Sequence, residues 1–278
     1  MSTIRELLFC FQKEGIPVAV ISFALQECNG FSNNTELLTN LDVETKDEER
    51  FILLMDRYQK GEMIEYLLNK TYFLSRPFYL NENVLIPRQE TEQLVLRTRD
   101  YIKEVFADKN ITIADICTGS GVIGIALAEL FHDSDVYLSD IAKECLDVAK
   151  RNIKEHSLTN VKCLKGDMLK PFIENNIKAD VIVCNPPYIS NIETIDKKTW
   201  EQEPHLALLA DPDTYFYGKL LKDYLKVVND TYLICFEIGE DMEESLKPLI
   251  NKYCEGCSFF FEKDIYDKTR FLFIKGKK

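Results

Sequence analysis

The sequence predicts an α/β protein with a mostly parallel, Rossmann-like sheet, an antiparallel final strand, and a small helical domain ahead of it. Three observations carry this prediction. Residues 1–70 show apolar residues at helical spacing and few strand signals; strands and helices alternate from residue 91 onward; and the first strand of that alternation runs directly into a glycine turn.

Ile4, Leu7, Leu8 and Phe11 recur at the spacing of one helix face. Thr45 and Glu48 stand at capping-box spacing ahead of the apolar run 51–55, and residues 62–68 read as another short helix. The helical domain, 1–70, gives way to an aromatic, proline-bearing stretch, 71–89, expected to be a hairpin or linker with a turn at Asn81-Glu82-Asn83. The larger domain, 90–278, follows. Helices are expected over 91–106, 121–131, 142–155, 215–228 and 241–252. Strands are expected over 111–116, 135–140, 160–167, 179–185 and 231–239, and two closing strands pair antiparallel across a short polar connection.

The chain has 278 residues and a formal charge of −12, with 46 acidic and 34 basic residues. That balance argues against broad nucleic-acid binding, which needs a phosphate-neutralising basic surface. Nine cysteines, an odd number, are scattered, and Cys10, Cys163, Cys184 and Cys235 lie in apolar runs as reduced core thiols do. Cys254 and Cys257 form a C-x-x-C with no second ligand pair, so no metal is expected. No apolar run approaches the ~18 residues of a membrane span. Arg5 and Glu6 interrupt any leader-like N-terminus. A cytoplasmic monomer without a membrane partner is the expectation.

Strand 111–116 runs into a turn in which Gly119, Gly121 and Gly124 match G-x-G-x-x-G, a form that lets backbone approach a nucleotide closely. Asp140 ends the next strand, where a carboxylate can accept from both ribose hydroxyls. Asp167 ends the third, where it can accept from an adenine amino group. Three successive carboxyl ends therefore suit an adenosine. A dinucleotide and S-adenosylmethionine both fit this much. Asp115, just before the turn that carries Thr118 and the glycines, sits better beside a cationic sulfonium and ammonium than beside a pyrophosphate.

The fourth strand ends in Asn185-Pro186-Pro187-Tyr188. A planar amino group, on an amide or a nucleobase, is a poor nucleophile because its lone pair is delocalised. Two acceptors around its protons orient it: the Asn185 side-chain oxygen and the Pro186 carbonyl, whose direction the proline rings hold in advance. Tyr188 can cover the planar group with its ring. These residues are the candidate catalytic and substrate-binding set. Asp115, Thr118, Gly119, Gly121, Asp140, Asp167 and Asn185 are the candidate cofactor contacts.

The segments VLIPRQETE (84–92), DICTGSGVIGIALA (115–128), CNPPYIS (184–190), EPHLALLADPD (203–213) and FEIGEDM (236–242) occur in one order. In that combination the chain resembles the HemK/PrmC family, the peptide chain release factor N5-glutamine methyltransferases of the class I S-adenosylmethionine-dependent fold. The resemblance implies S-adenosyl-L-methionine as cofactor. It implies a release factor as protein substrate, held partly by the helical domain and methylated on the glutamine of its Gly-Gly-Gln motif. Two alternatives stay open: glutamine methylation of a ribosomal protein, and methylation of an exocyclic amino group of a nucleobase. Cys117 stands where the family usually has glycine, and Gln89 where it has proline. Glu237 reads as a strand-end carboxylate bonded to nearby backbone, and His156 as a surface residue.

Overall fold

The computed structural model describes residues 1–107 and 109–278. The chain divides into two compact units, Met1–Lys70 and Thr71–Lys278.

The first unit contains helices α1 (Ile4–Lys13), α2 (Val18–Asn29), α3 (Asn34–Thr39), α4 (Glu48–Gln59) and α5 (Ile64–Leu68). Their apolar faces close on Ile4, Ile21, Leu25, Phe51 and Met55, all fully buried. The Phe11 and Phe51 rings meet edge-on at 5.2 Å. A capping box does form, but at Thr3 and Glu6 of α1. At α4 the cap is Asp47, which accepts from the Arg50 N–H. The box expected of Thr45 and Glu48 is absent because Glu48 is taken by the Ser2 backbone N–H and hydroxyl.

The hairpin strands β1 (Lys70–Phe73) and β2 (Arg76–Tyr79) turn at Leu74 and Ser75, both with positive φ. Asn81–Asn83 makes a separate turn in which the Asn81 side chain accepts from the Asn83 N–H. The hairpin is fastened to the helix Lys143–Glu155 of the same unit. Asn152 bonds both backbone groups of Tyr79. His156, expected at the surface, has a side chain only 4% exposed; it bonds Glu129 and the Pro77 carbonyl and lies against Phe78.

Helix α6 (Gln89–Phe106) then leads into the alternation β3 (Thr112–Ile116), α7 (Val122–Leu130), β4 (Asp135–Asp140), α8 (Lys143–Glu155), β5 (Val161–Lys165), α9 (Lys170–Glu174) and β6 (Ala179–Cys184). After β6 come α10 (Lys197–Gln202), α11 (Tyr215–Asp223), β7 (Val228–Glu237), α12 (Glu243–Tyr253), β8 (Ser258–Lys263) and β9 (Thr269–Lys277). The helix expected over 215–228 stops at Asp223. A 3-10 turn, Tyr224–Lys226, follows, and Val228 already belongs to β7.

Among the described residues seven strands form one sheet in the order β5-β4-β3-β6-β7-β9-β8. All run parallel except β9, which is antiparallel to both of its neighbours. Helices cover both faces, so the central strands are buried on both sides and carry near-continuous apolar runs. Alternate residues feed two cores: Ile116, Ile182 and Ile234 on one face, Ile113, Val183 and Leu233 on the other. Chain order leaves β3 toward β4 on one side and returns to β6 on the other. The carboxyl ends of β3 and β6 therefore flank the switch point, where open α/β sheets hold ligands. All nine cysteines are free. Cys184 and Cys235 are core thiols as expected, but Cys10 is exposed and Cys163 half-buried.

Candidate active site

At the switch point β3 ends in Ile116, and the chain reverses through Cys117, Gly119 and Gly121, all with positive φ. Asp115 holds this reversal together from inside. It is fully buried, and its Oδ2 accepts from the Thr118 hydroxyl at 2.6 Å and the Gly124 N–H at 2.9 Å. Burial pushes its carboxyl up to about 7 despite those two donors. Asp115 was expected to face a cofactor; the structure places it beneath the turn instead. Gly121 also packs inward, because a Cβ there would come within 3.1 Å of Ile125 and Leu138. Of the three glycines, Gly119 is the one on the cleft, and the space a Cβ would occupy there is open.

The cleft has a volume of about 360 Å³, within the range of small-molecule sites. Its polar lining includes Thr118, Gly119, Asp140, Asp167 and Asn185. Its apolar lining includes Ile141, Met168 and Phe216. Asp140, at the end of β4, receives the Gly119 N–H on one oxygen and the Ala142 N–H on the other, each at 3.0 Å. Burial raises its pKa while these donors oppose the rise. Asp167, after β5, is ion-paired with Lys219 of α11, so a ligand amino group there shares the carboxylate with a cation.

Asn185 follows β6 directly and lines the cleft together with Pro187. Pro186 is buried, and Tyr188 is half-buried beside Gly239; neither is among the lining residues. Burial raises the Tyr188 hydroxyl well above the usual tyrosine range. The Asn185 amide N–H reaches the Thr91 hydroxyl at 3.3 Å, and that hydroxyl donates to Glu237 at 2.8 Å. Glu237 is 2% exposed, and burial pushes its carboxyl up to about 7. Glu237 thus bonds a side chain of α6, not the nearby backbone expected of it. The signal for it was present: a carboxylate in an otherwise apolar strand, TYLICFEIG, has to find a buried partner.

A family model described as methyltransferase small domain matches residues 98–202. The release factor glutamine methyltransferase of Mycoplasma mycoides subsp. mycoides SC is 36% identical over 246 residues, 86% of this chain and 86% of that protein. The protein of the same name from Bacillus anthracis is 35% identical over 249 residues, 88% of each. The chain belongs to the release factor glutamine methyltransferase family. The resemblance carried by residues 84–92, 115–128, 184–190, 203–213 and 236–242 points to the same family. The ribosomal protein L11 methylase from Lactobacillus delbrueckii subsp. bulgaricus superposes with a TM-score of 0.50 over 72% of this chain and 84% of that one, at 18% identity. At that identity the likeness shows the shared methyltransferase fold and nothing of the substrate. Among the described residues no helix is long and apolar enough to cross a membrane, and no cluster of His, Cys, Asp or Glu is placed to hold a metal ion.

Proposed function

We propose that this member of the release factor glutamine methyltransferase family transfers a methyl group from S-adenosyl-L-methionine to the side-chain amide nitrogen of the glutamine in a release factor's Gly-Gly-Gln motif. The observation that carries the proposal is the placement of the Asn185 amide at the switch point, in one cleft with Gly119, Asp140 and Asp167. Those residues fit the cofactor. The open space above Gly119 admits backbone-close approach, the two carboxylates match ribose hydroxyls and an adenine amino group, and Ile141, Met168 and Phe216 offer apolar walls for the base. The acidic lining suits a sulfonium and an ammonium better than a pyrophosphate. When bound, the cofactor supplies an electrophilic methyl carbon.

The chain's own part is positioning. The Asn185 oxygen and the Pro186 carbonyl accept the two protons of the glutamine amide and aim its nitrogen. Proline fixes φ near −65°, so the carbonyl direction is set before substrate arrives. No strong base is needed, because the nitrogen becomes acidic once it carries the methyl group and then releases its proton. On the first unit Phe9 of α1 and Ile52 and Leu53 of α4 are each about half exposed, apolar side chains left over from the unit's own core that a protein substrate could cover. The net charge of −12 sits better with such a partner than with nucleic acid.

The test is to incubate the protein with labelled S-adenosylmethionine and, separately, a release factor, ribosomal proteins and nucleic acids. The expected product is a release factor heavier by one methyl group on the Gly-Gly-Gln glutamine, absent with Asn185→Ala. Label confined to ribosomal protein or nucleic acid overturns the assignment.

A further inference from the structure

A hydrogen-bond donor and acceptor differ at the two ends of the Asn185 amide, and only its oxygen can take a proton from a glutamine N–H. Something must keep that oxygen, and not the NH2, turned toward the substrate. The residues bonded in series to its NH2 end are Thr91 at the start of α6, which also lines the cleft, and Glu237 at the end of β7. Thr91 has a single hydroxyl proton, and it points to Glu237 Oε2 at 2.8 Å. What the hydroxyl offers Asn185 is therefore a lone pair, and the Asn185 N–H takes it at 3.3 Å. A flipped amide would set its oxygen against the Thr91 oxygen with no proton between them.

We propose that Thr91 and Glu237 are positioning residues that fix the orientation of the Asn185 amide, the carboxylate by holding the Thr91 proton and the hydroxyl by accepting the Asn185 N–H. The proposal rests on the Asn185 clamp assigned above and deepens it. All three groups are tied to rigid elements. Thr91 is 4% exposed and Glu237 2%, and the Tyr217 hydroxyl of α11 donates to the Glu237 backbone carbonyl at 2.8 Å. Water therefore does not substitute freely for a missing partner.

The chain of bonds has a proton-dependent direction. With Glu237 ionised, Thr91 can only donate to it. With Glu237 protonated, the carboxyl can donate to Thr91, whose hydroxyl is then free to donate to a flipped Asn185 oxygen. The charged and titratable groups around Glu237 are Glu90 of α6, Tyr188 after β6, Tyr217 of α11 and Arg270 of β9. Burial and Glu90 favour the protonated form; Thr91, Arg270 and Asn185 favour the ionised one, with the balance at about 7. The competent direction is lost as pH falls through that value.

Steady-state kinetics with S-adenosylmethionine and a release factor, over about pH 6 to 9, test this. Thr91→Val, which keeps the shape and removes the hydroxyl, is expected to lower kcat about 10- to 100-fold, with KM for S-adenosylmethionine held within about twofold. Thr91→Ser restores kcat. Wild-type kcat falls on the acid side of about pH 7, and Glu237→Gln is slow throughout and lacks that acid limb. Wild-type kcat in Thr91→Val, or no acid limb in the wild-type enzyme, overturns the relay even if Glu237→Gln does not fold. Asn185→Ala run beside them separates the two readings. If it is inactive while Thr91→Val is unaffected, the relay alone is wrong; if it is fully active, the clamp is wrong.

Discussion

Alanine in place of Gly124 and of Gly218 sets one intrinsic preference against two different surroundings. Both glycines lie inside helices, Gly124 in α7 and Gly218 in α11. With nothing nearby, each change favours the helix by about 1 kcal/mol. At Gly218 the new methyl meets Leu249 at 3.5 and 3.6 Å, ordinary van der Waals contact, so most of that gain survives. At Gly124 it falls 2.7 Å from Leu138 Cδ1 and 3.0 Å from Asp115 Oδ2. Leu138 is fully buried on β4 and has little room to yield. Overpacking of this kind costs about 1–3 kcal/mol. Moving α7 away also stretches the Gly124 N–H bond to the buried Asp115 carboxyl, now 2.9 Å, at a cost of about 1–3 kcal/mol more. Set against the helix gain, Gly124→Ala loses about 1–5 kcal/mol and Gly218→Ala gains up to about 1 kcal/mol. Differential scanning calorimetry reads both at about 2–4 °C per kcal/mol for a domain of this size. A Gly124→Ala protein that melts higher than wild type would mean that helix preference outweighs contact, and that α7 is not held against β4 and Asp115 as described.

Two further outcomes follow from buried charge. The Glu203 side chain is fully buried against Arg88, which is itself 38% exposed. Arg88→Ala strands the carboxylate and should cost about 1–3 kcal/mol, less than a fully buried pair because solvent screens the arginine. An Arg88→Met/Glu203→Met double variant should recover much of that in urea unfolding, and no loss in the single variant would show that the pair contributes nothing. Asp115 carries a pH signature. Its folded pKa lies near 7 against 3.8 for an ordinary aspartate, so between those values the folded chain holds a proton that the unfolded chain has released. Its contribution to stability is complete below about pH 4 and fades as pH rises to about 7. Unfolding measured across that window should lose this part of its slope in Asp115→Asn; an unchanged slope refutes the assignment.

The parts of this fold that a local pattern determines were readable in advance. Strand 135–140 and the helix after it follow from apolar spacing, and the carboxyl ends at Asp140, Asp167 and Asn185 do meet on one cleft. The misreadings arise where a distant partner decides. Thr45 and Glu48 have the spacing of a cap, yet Ser2 lies 46 residues away in sequence and claims Glu48. His156 sits at the end of a polar helix, but Pro77 and Phe78 of the hairpin bury its ring. Asp115 has the right place in the sequence for a cofactor contact and the wrong direction in space, because the turn it supports closes over it. Glu237 and Thr91 are 146 residues apart, and no window of sequence joins them.

The order β7-β9-β8 has a consequence for synthesis. Residues 269–277 are made after β8, yet they fill the slot between β7 and β8 and bond to both. Until the ribosome has released that stretch, β7 presents an unpaired edge on the side away from β6, and the growing chain carries a sticky margin open to other chains. The strand that bears Glu237 is thus locked on that side only once β9 has emerged, and the hydrogen bond between Glu237 and Thr91 waits on a strand made later than either residue.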